Sequence, residues 1–219
     1  MIITGLDLSI NSSGLVQLEL DDNLDIVHVD FMGFTTVKKN ETVKVYHYKK
    51  NQFKTYLHQS EWMLEKSLEF VEGSEYVAIE DFSFGSTGKV FQIAEWASLI
   101  KYHLFECDVK MRLIDPNSVK MFATGKGNCD KLRMYDSFQD FTGTKPDLKY
   151  YPEVTKSNGN SPTSDVVDAF YIAKILQLEL KLRKGIIALR DCNEDEIRIF
   201  NRVTKSHPVN MLDRDFIQK

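Results

Sequence analysis

The sequence lacks the features that mark membrane-spanning, secreted or disulfide-stabilised proteins. Its 219 residues contain no apolar run near the roughly 18 residues that a membrane helix requires. The first residues carry neither a basic segment nor a small-residue cleavage site, so we expect no secretory signal. The three cysteines form no Cys-x-x-Cys pair, which argues against a disulfide framework and a zinc site. We therefore expect a cytoplasmic protein with no membrane partner.

The sequence also lacks the excess of basic residues that is typical of nucleic-acid-binding proteins, because its net charge is −4. The basic residues are nevertheless concentrated in three stretches, around residues 38–54, 110–133 and 181–190. Each stretch taken alone is typical of solvated surface. Together they predict one basic face that could follow a nucleic-acid backbone.

Short apolar runs alternate with helical periodicities along the chain. Strands are predicted near residues 2–6, 15–20, 26–31, 76–79 and 109–114. Helices are predicted near residues 53–71 and 90–104, after Pro116, from about Asp130, from a Ser164 cap to Gly185, and from an Asn193–Glu196 capping box. This order predicts an α/β fold with one mixed five-stranded sheet flanked by helices. We expect a domain over residues 1–185, a long surface loop over 142–162, and a C-terminal helical extension and tail over 186–219.

Four carboxylates fall at the ends of predicted core elements. Asp7 ends the first strand, Glu80 ends the fourth, and Asp165 and Asp168 lie three apart at the start of a helix, on one face. Taken one at a time, each acid has an ordinary explanation as a turn former, a helix cap or a dipole partner. Gathered together they would repel one another, and divalent cations remove such repulsion. Oxygen ligands without a Cys or His pair favour Mg²⁺ or Mn²⁺ over zinc.

Several segments resemble the RuvC-type Holliday junction resolvases. Residues 6–14 are similar to the opening strand and turn of that family, and residues 78–80 to its second acidic strand end. Residues 165–169 resemble its Asp-x-x-Asp-Ala helix start. The most specific match begins at residues 117–120, which end in Val-Lys. It continues with the glycine-containing loop and the second Lys of residues 123–131. The resemblance runs in order from residue 2 to about residue 176.

The resemblance implies a ribonuclease-H-like nuclease that acts as a homodimer and resolves branched DNA by paired phosphodiester cleavage. It implies that the metal ligands are Asp7, Glu80, Asp165 and Asp168, which would bind two Mg²⁺ ions, with Mn²⁺ as a substitute. It also implies that Lys120 and Lys131 act near the scissile phosphate. The expected substrates are four-way junctions, followed by three-way junctions and flaps. The acidic composition is compatible with a phage or viral source, in which case the compartment is the host cytoplasm.

Contacts with DNA are predicted outside the acidic cluster. The family places an aromatic residue three positions after its Glu, and here that position is Ser83, between Phe82 and Phe84. Either Phe could stack on an unpaired base, or either could be buried under the loop. The further candidates for contacts with the DNA backbone are Lys49, Lys50, Lys89 and Lys126.

Two functions of other classes are open at this point. An ATP-binding phosphotransferase of the actin and sugar-kinase type also opens with an Asp and a phosphate loop. Two such halves need far more than 219 residues, and Gly85–Val90 has the wrong spacing for a phosphate-binding loop. A non-catalytic junction-binding protein is the second alternative, but an inactive relative should have lost at least one acid. Within the nucleases, the paired lysines favour a resolvase over a general ribonuclease H or flap nuclease.

Overall fold

Strands and helices alternate along the chain in the predicted order. The computed structural model describes residues 1–36, 45–49, 52–81, 90–144 and 162–205. The strands are β1 (Ile2–Asp7), β2 (Ser12–Leu20), β3 (Ile26–Thr35), β4 (Val45–His47), β5 (Tyr76–Glu80) and β6 (Lys110–Ile114). The helices are α1 (Tyr56–Val71), α2 (Val90–Glu106), α3 (Pro116–Thr124), α4 (Lys131–Gly143), α5 (Thr163–Arg183) and α6 (Glu194–Lys205), with a 3-10 turn at Leu189–Asp191. None of the helices in this part of the chain combines the length and apolar character needed to cross a bilayer.

One mixed sheet carries the fold, with the strand order β4-β3-β2-β1-β5-β6. The first three strands form an antiparallel meander, and β5 and β6 run parallel to β1. All five predicted strands are present, so the predicted mixed α/β sheet is confirmed. A sixth strand, β4, pairs in parallel with β3 at the edge. Its three residues are too few to leave a periodic signal in the sequence.

A hydrophobic core lies on each face of the sheet. Leu6, Val77 and Ile79 point toward α1 and α2, whereas Ile3 and Ala78 point toward α5. Because successive side chains of a strand alternate between faces, Asp7 and Glu80 share the face of Ile3 and Ala78. Both strand-end acids are therefore directed toward the helix that carries the other two.

Helix α2 contributes to the core on the opposite face. Its predicted stripe contains Ala97, Ile100 and Leu104, which are all buried in the second core. These three residues of the stripe therefore belong to the core. The exposed face of α2 lies on the other side of the helix.

Helix α5 is buried along almost its whole length, as expected for a central helix. Two glycines let it lie directly on the sheet. A Cβ atom at Gly5 would lie 2.2 Å from the carbonyl oxygen of Ala169, and one at Gly14 would lie 2.1 Å from that of Asp165. No side chain fits at those distances, so both positions require glycine at this helix–sheet spacing.

The start of α5 differs from the prediction in one respect. The helix begins at Thr163 after Pro162, and it has no side-chain cap. The prediction that Ser164 caps the helix is therefore wrong, since Ser164 lies inside the first turn. Its hydroxyl instead contacts Asp165 and Lys131.

The far end of α5 is anchored by a buried ion cluster. The Glu179 carboxylate accepts hydrogen bonds from Arg112 Nε at 2.8 Å and from Arg183 Nε at 2.7 Å. All three side chains are at most 3% exposed. The prediction of a single basic face is therefore wrong for Arg112 and Arg183, because their charges are paired inside the protein.

The C-terminal part of the described chain follows the predicted capping box. The backbone amide of Asn193 donates to Glu196 Oε2 at 2.9 Å, and the backbone amide of Glu196 donates to Asn193 Oδ1 at 2.9 Å. Helix α6 then buries Ile199 and Val203 in the core that α5 shares. Of the predicted 142–162 loop, residues 145–161 lie outside the described ranges, as does the predicted tail from residue 206.

Candidate metal centre

Asp7 and Glu80 meet at one edge of the sheet. Strands β1 and β5 are parallel neighbours, and Leu6 pairs with Ile79, so each acid occupies the next position of its strand. Asp7 is only 8% exposed, and Glu80 is half-buried. The sequence predicted this position for both side chains.

Asp165 and Asp168 come to the same point from the first turns of α5. One carboxylate oxygen from each of Asp7, Asp165 and Asp168 lies within 4.8 Å of the other two. Glu80 is not part of that close set, but it lines the same cavity. The structure thus brings together all four acids that the sequence singled out.

Burial and mutual repulsion disfavour ionisation of Asp7, Glu80 and Asp168. Burial, followed by the charges of Glu80, Asp168 and Asp165, raises the pKa of Asp7 well above its ordinary value. Burial and then Asp168 raise the pKa of Glu80 to about 7, although a hydrogen bond with Asp7 and the charges of two lysines oppose the shift. Burial raises the pKa of Asp168 to about 6, against the opposing charge of Lys131. Cations that bind here therefore relieve an electrostatic cost that the fold imposes.

Lys131, the first residue of α4, supplies one such positive charge. Its Nζ lies 3.2 Å from Asp165 Oδ1 and 3.4 Å from Asp168 Oδ2, and it donates to Ser164 Oγ at 3.2 Å. Burial alone would lower its pKa, but the charges of Asp168, Asp165 and Asp7 raise it above the ordinary lysine value. Lys131 is therefore charged, while 47% of its side chain stays exposed to the cavity.

The first residue of β2 contributes a hydroxyl that the sequence did not identify. Ser12 Oγ donates a 2.6 Å hydrogen bond to Asp165 Oδ2. The sequence indicated only a turn here. Because the two residues are 153 positions apart, no local pattern could have revealed the contact.

A cavity of about 570 Å³ contains the four acids together with Lys120 and Lys131. Lys120 is half-buried on α3, and Pro116 and Asn117 from the start of that helix also line the cavity. Lys49 and Lys126 are exposed, and neither belongs to the described residues that line it. The predicted contacts Lys50, Phe82, Phe84 and Lys89 lie outside the described residues.

The donor set fits a divalent cation of the magnesium class. Three carboxylates converge, none of the described residues that line the cavity is a His or a Cys, and hard oxygen donors are those that Mg²⁺ and Mn²⁺ prefer. An ammonium between two of the acids shows that this position already accommodates positive charge. Asp7, Asp165 and Asp168 could therefore hold a metal ion.

The strand order and the helices on both faces of the sheet define an α/β fold, which is similar to that of solved Holliday junction resolvases. No family model and no curated protein matches the sequence. Among solved structures, Thermus thermophilus RuvC in complex with Holliday junction substrate has a TM-score of 0.55 at 18% identity, covering 85% of this chain and 97% of RuvC.

Two further structures share the fold. The fowlpox virus resolvase, solved with substrate Holliday junction DNA, has a TM-score of 0.50 at 14% identity, covering 82% of this chain and 99% of the viral one. The yeast mitochondrial Holliday junction resolvase Ydc2 has a TM-score of 0.51 at 14% identity, covering 78% of this chain and 75% of Ydc2. At these identities the likeness is one of fold.

Proposed function

We propose that this chain is a metal-dependent endonuclease that resolves Holliday junctions and related branched DNA by paired phosphodiester cleavage. The observation that carries the proposal is the convergence of Asp7, Asp165 and Asp168 within 4.8 Å, beside Glu80 and two lysines in one cavity. The shared fold of three resolvase structures, two of them solved with Holliday junction DNA, supports this choice of substrate.

The four carboxylates would hold two Mg²⁺ ions, with Mn²⁺ as a substitute. Asp7 would be the shared ligand, because it forms a hydrogen bond with Glu80 and also has a carboxylate oxygen within 4.8 Å of those of Asp165 and Asp168. When bound, such ions activate water and stabilise the leaving oxygen of a phosphodiester. The protein's own contribution is to hold the carboxylates at fixed spacing on the sheet edge and a buried helix.

The two lysines would act on the phosphate. Lys131 and Lys120 come from different helices and both line the cavity, so a phosphate bound there would lie among their ammonium groups. A fixed positive charge offsets negative charge that develops on the phosphoryl oxygens in the transition state. The exposed Lys49 and Lys126 would instead contact the DNA backbone outside the cavity.

A homodimer would match the near two-fold symmetry of a four-way junction, since paired cuts need two identical sites. The exposed face of α2 offers a surface for a second copy. Phe91, Tyr102 and Phe105 are 83%, 58% and 60% exposed on that face. The exposed Tyr56 and Leu57 of α1 extend the same apolar area, because the Tyr56 hydroxyl donates to Glu95 of α2.

One cleavage panel tests the proposed function. A four-way junction, a three-way junction, a flap and a linear duplex are incubated with the protein in Mg²⁺, Mn²⁺, Ca²⁺ or EDTA. We expect symmetric paired cuts in the four-way junction with Mg²⁺ or Mn²⁺, weaker cutting of the other branched substrates, and none in EDTA. Junction binding without cleavage in either active metal would favour the non-catalytic binding protein. Tight ATP binding without junction binding would favour the phosphotransferase.

A further inference from the structure

Ser12 connects the turn after β1 with the first turn of α5. It is the first residue of β2 and is 8% exposed, and its partner Asp165 is 5% exposed. The bond between them, 2.6 Å from Oγ to Oδ2, has the short length expected of a hydroxyl that donates to an ionised carboxylate. Bonds of this kind are roughly twice as strong as those between neutral groups.

The bond fixes which oxygen of Asp165 faces the other acids. Oδ2 is held by Ser12, whereas Oδ1 is directed to Lys131 and the Ser164 hydroxyl, at 3.2 Å and 3.3 Å. Lys131 in turn contacts Asp168 Oδ2, so Oδ1 lies on the side of the acidic cluster. Without the Ser12 hydroxyl, the carboxylate could rotate about its terminal torsion, which is intrinsically broad.

We propose that Ser12 is a positioning residue that orients Asp165 as a metal ligand, an inference that rests on the metal-dependent function proposed above. Ser12 acts only through Asp165. A group that hydrogen-bonds to a metal-binding side chain holds that side chain in the orientation needed to bind the metal. Removal of such a group typically weakens metal affinity by about 10–100-fold.

The adjacent Ser13 provides a matched control. It is fully buried, and its Oγ donates to the Ser9 carbonyl oxygen at 2.6 Å and accepts from the Ser9 amide nitrogen at 2.9 Å. Ser13→Ala therefore deletes the same atom from the next residue of β2, while the Ser12–Asp165 bond stays intact. It should lower the melting temperature and leave the metal affinity within about twofold, because no metal ligand loses a partner.

The experiment measures the affinity of the full chain for Mn²⁺ in the absence of DNA. Titration calorimetry and the electron-spin-resonance signal of free Mn²⁺ provide the two readouts. We expect Ser12→Ala to weaken binding by about tenfold or more. Ser12→Thr and Ser12→Val have the same shape, but only the threonine can donate. The threonine variant should therefore bind Mn²⁺ more tightly than the valine variant, and this comparison holds even if the alanine variant folds poorly.

Three outcomes would overturn the proposal, and they are distinguishable. Equal affinities of the Thr and Val variants would exclude a role for the hydroxyl while leaving the metal centre in place. An equal loss in Ser13→Ala would assign the effect to the start of β2 as a whole. Failure of the unmodified protein to bind Mn²⁺ would overturn the proposed metal centre itself, and the role of Ser12 with it.

Discussion

Lys131 reaches the acidic cluster from α4 and places its ammonium 3.4 Å from Oδ2 of Asp168 on α5. The two helices are separated in sequence by residues 144–162, so the ion pair depends on the tertiary fold. A lysine held this close to proposed metal ligands contributes positive charge at the point where a phosphate would enter.

Lys131→Ala should lower the single-turnover cleavage rate of bound junction by about a hundredfold, while the affinity for DNA barely changes. An interaction made mainly in the transition state has this signature. Lys120→Ala should behave in the same way. The measurement is single-turnover cleavage at saturating protein, beside a salt titration of binding in Ca²⁺. Lys49→Ala is the control, because Lys49 is exposed and would contact only the DNA backbone. Its removal should weaken DNA binding and reduce the slope of log binding constant against log salt concentration by about one unit. A Lys131 variant that loses affinity but keeps its saturated rate would contradict the assignment.

Asp7→Asn should reduce cleavage by orders of magnitude, because it removes a charge from the centre of the cluster while keeping the size of the side chain. Junction binding should persist or tighten, since one negative charge near the phosphates is gone. Gel-shift affinity in Ca²⁺ and cleavage in Mg²⁺ provide the two readouts, and Asp22→Asn at an exposed position is the control. Near-normal cleavage by the Asp7 variant would show that the site lies elsewhere.

The metal-free protein should lose stability as the pH rises from about 4 to 7. The folded-state pKa values of Glu80 and Asp168, about 7 and 6, lie above their ordinary values of 4.5 and 3.8. Their contribution is therefore fully present below the ordinary values and is lost as the pH rises through the folded values.

Thermal unfolding in EDTA at four pH values between 4 and 7 measures this loss, and Mg²⁺ should restore stability at the upper end. Glu80→Gln should flatten the dependence, which assigns the loss of stability to the acidic cluster. An EDTA profile that rises with pH, or an equal slope in the Gln variant, would rule out the electrostatic explanation.

Gly5→Ala and Gly14→Ala should each destabilise the protein by about 3 kcal/mol, because the added methyl group would meet the α5 backbone. The helix would have to move away from the sheet and would carry Asp165 and Asp168 with it. Gly143→Ala is the control, since a Cβ there has no neighbour within 4 Å and should be neutral or slightly stabilising. Urea unfolding gives the free energies. Stabilities that do not differ among the three variants would contradict the proposed packing constraint.

Phe105→Glu should weaken self-association by about tenfold or more if α2 carries the proposed dimer contact, because a charge would be placed in an apolar interface. Light scattering over a concentration series measures the effect, and junction products should shift from paired cuts to single nicks. Val27→Glu, at an exposed apolar position on β3, should leave association unchanged. A protein that is monomeric even with junction bound would refute the dimer.

The sequence was informative where a signal is local. Asp7 and Glu80 follow apolar runs whose length indicates buried strands, and parallel neighbouring strands bring their ends together. The spacing of Asp165 and Asp168 placed both on one helical face. These rules predicted the sheet and the acids at its edge.

The remaining features depend on tertiary contacts that leave no periodic trace. In the sequence, Gly5 is an ordinary residue of a strand pattern and Gly14 is an ordinary turn residue, and only the position of α5 explains why both are glycine. Ser164 has the residue type of a cap, but the chain enters the helix one residue earlier, and Ser12 finds its partner 153 positions away. Contacts between residues so far apart in the sequence are determined by tertiary packing and not by local secondary-structure propensity.

Helix α5 has one end in the candidate metal centre and the other in the buried cluster of Glu179 with Arg112 and Arg183. Fourteen residues separate Asp165 from Glu179, about 21 Å of continuous helix. Because α5 is buried along almost its whole length, we expect its backbone amides to exchange with solvent hydrogen only when the core opens. The spacing of the two acids should then persist as long as the fold does, and a DNA strand bound in the cavity would have to adjust its own shape to that spacing.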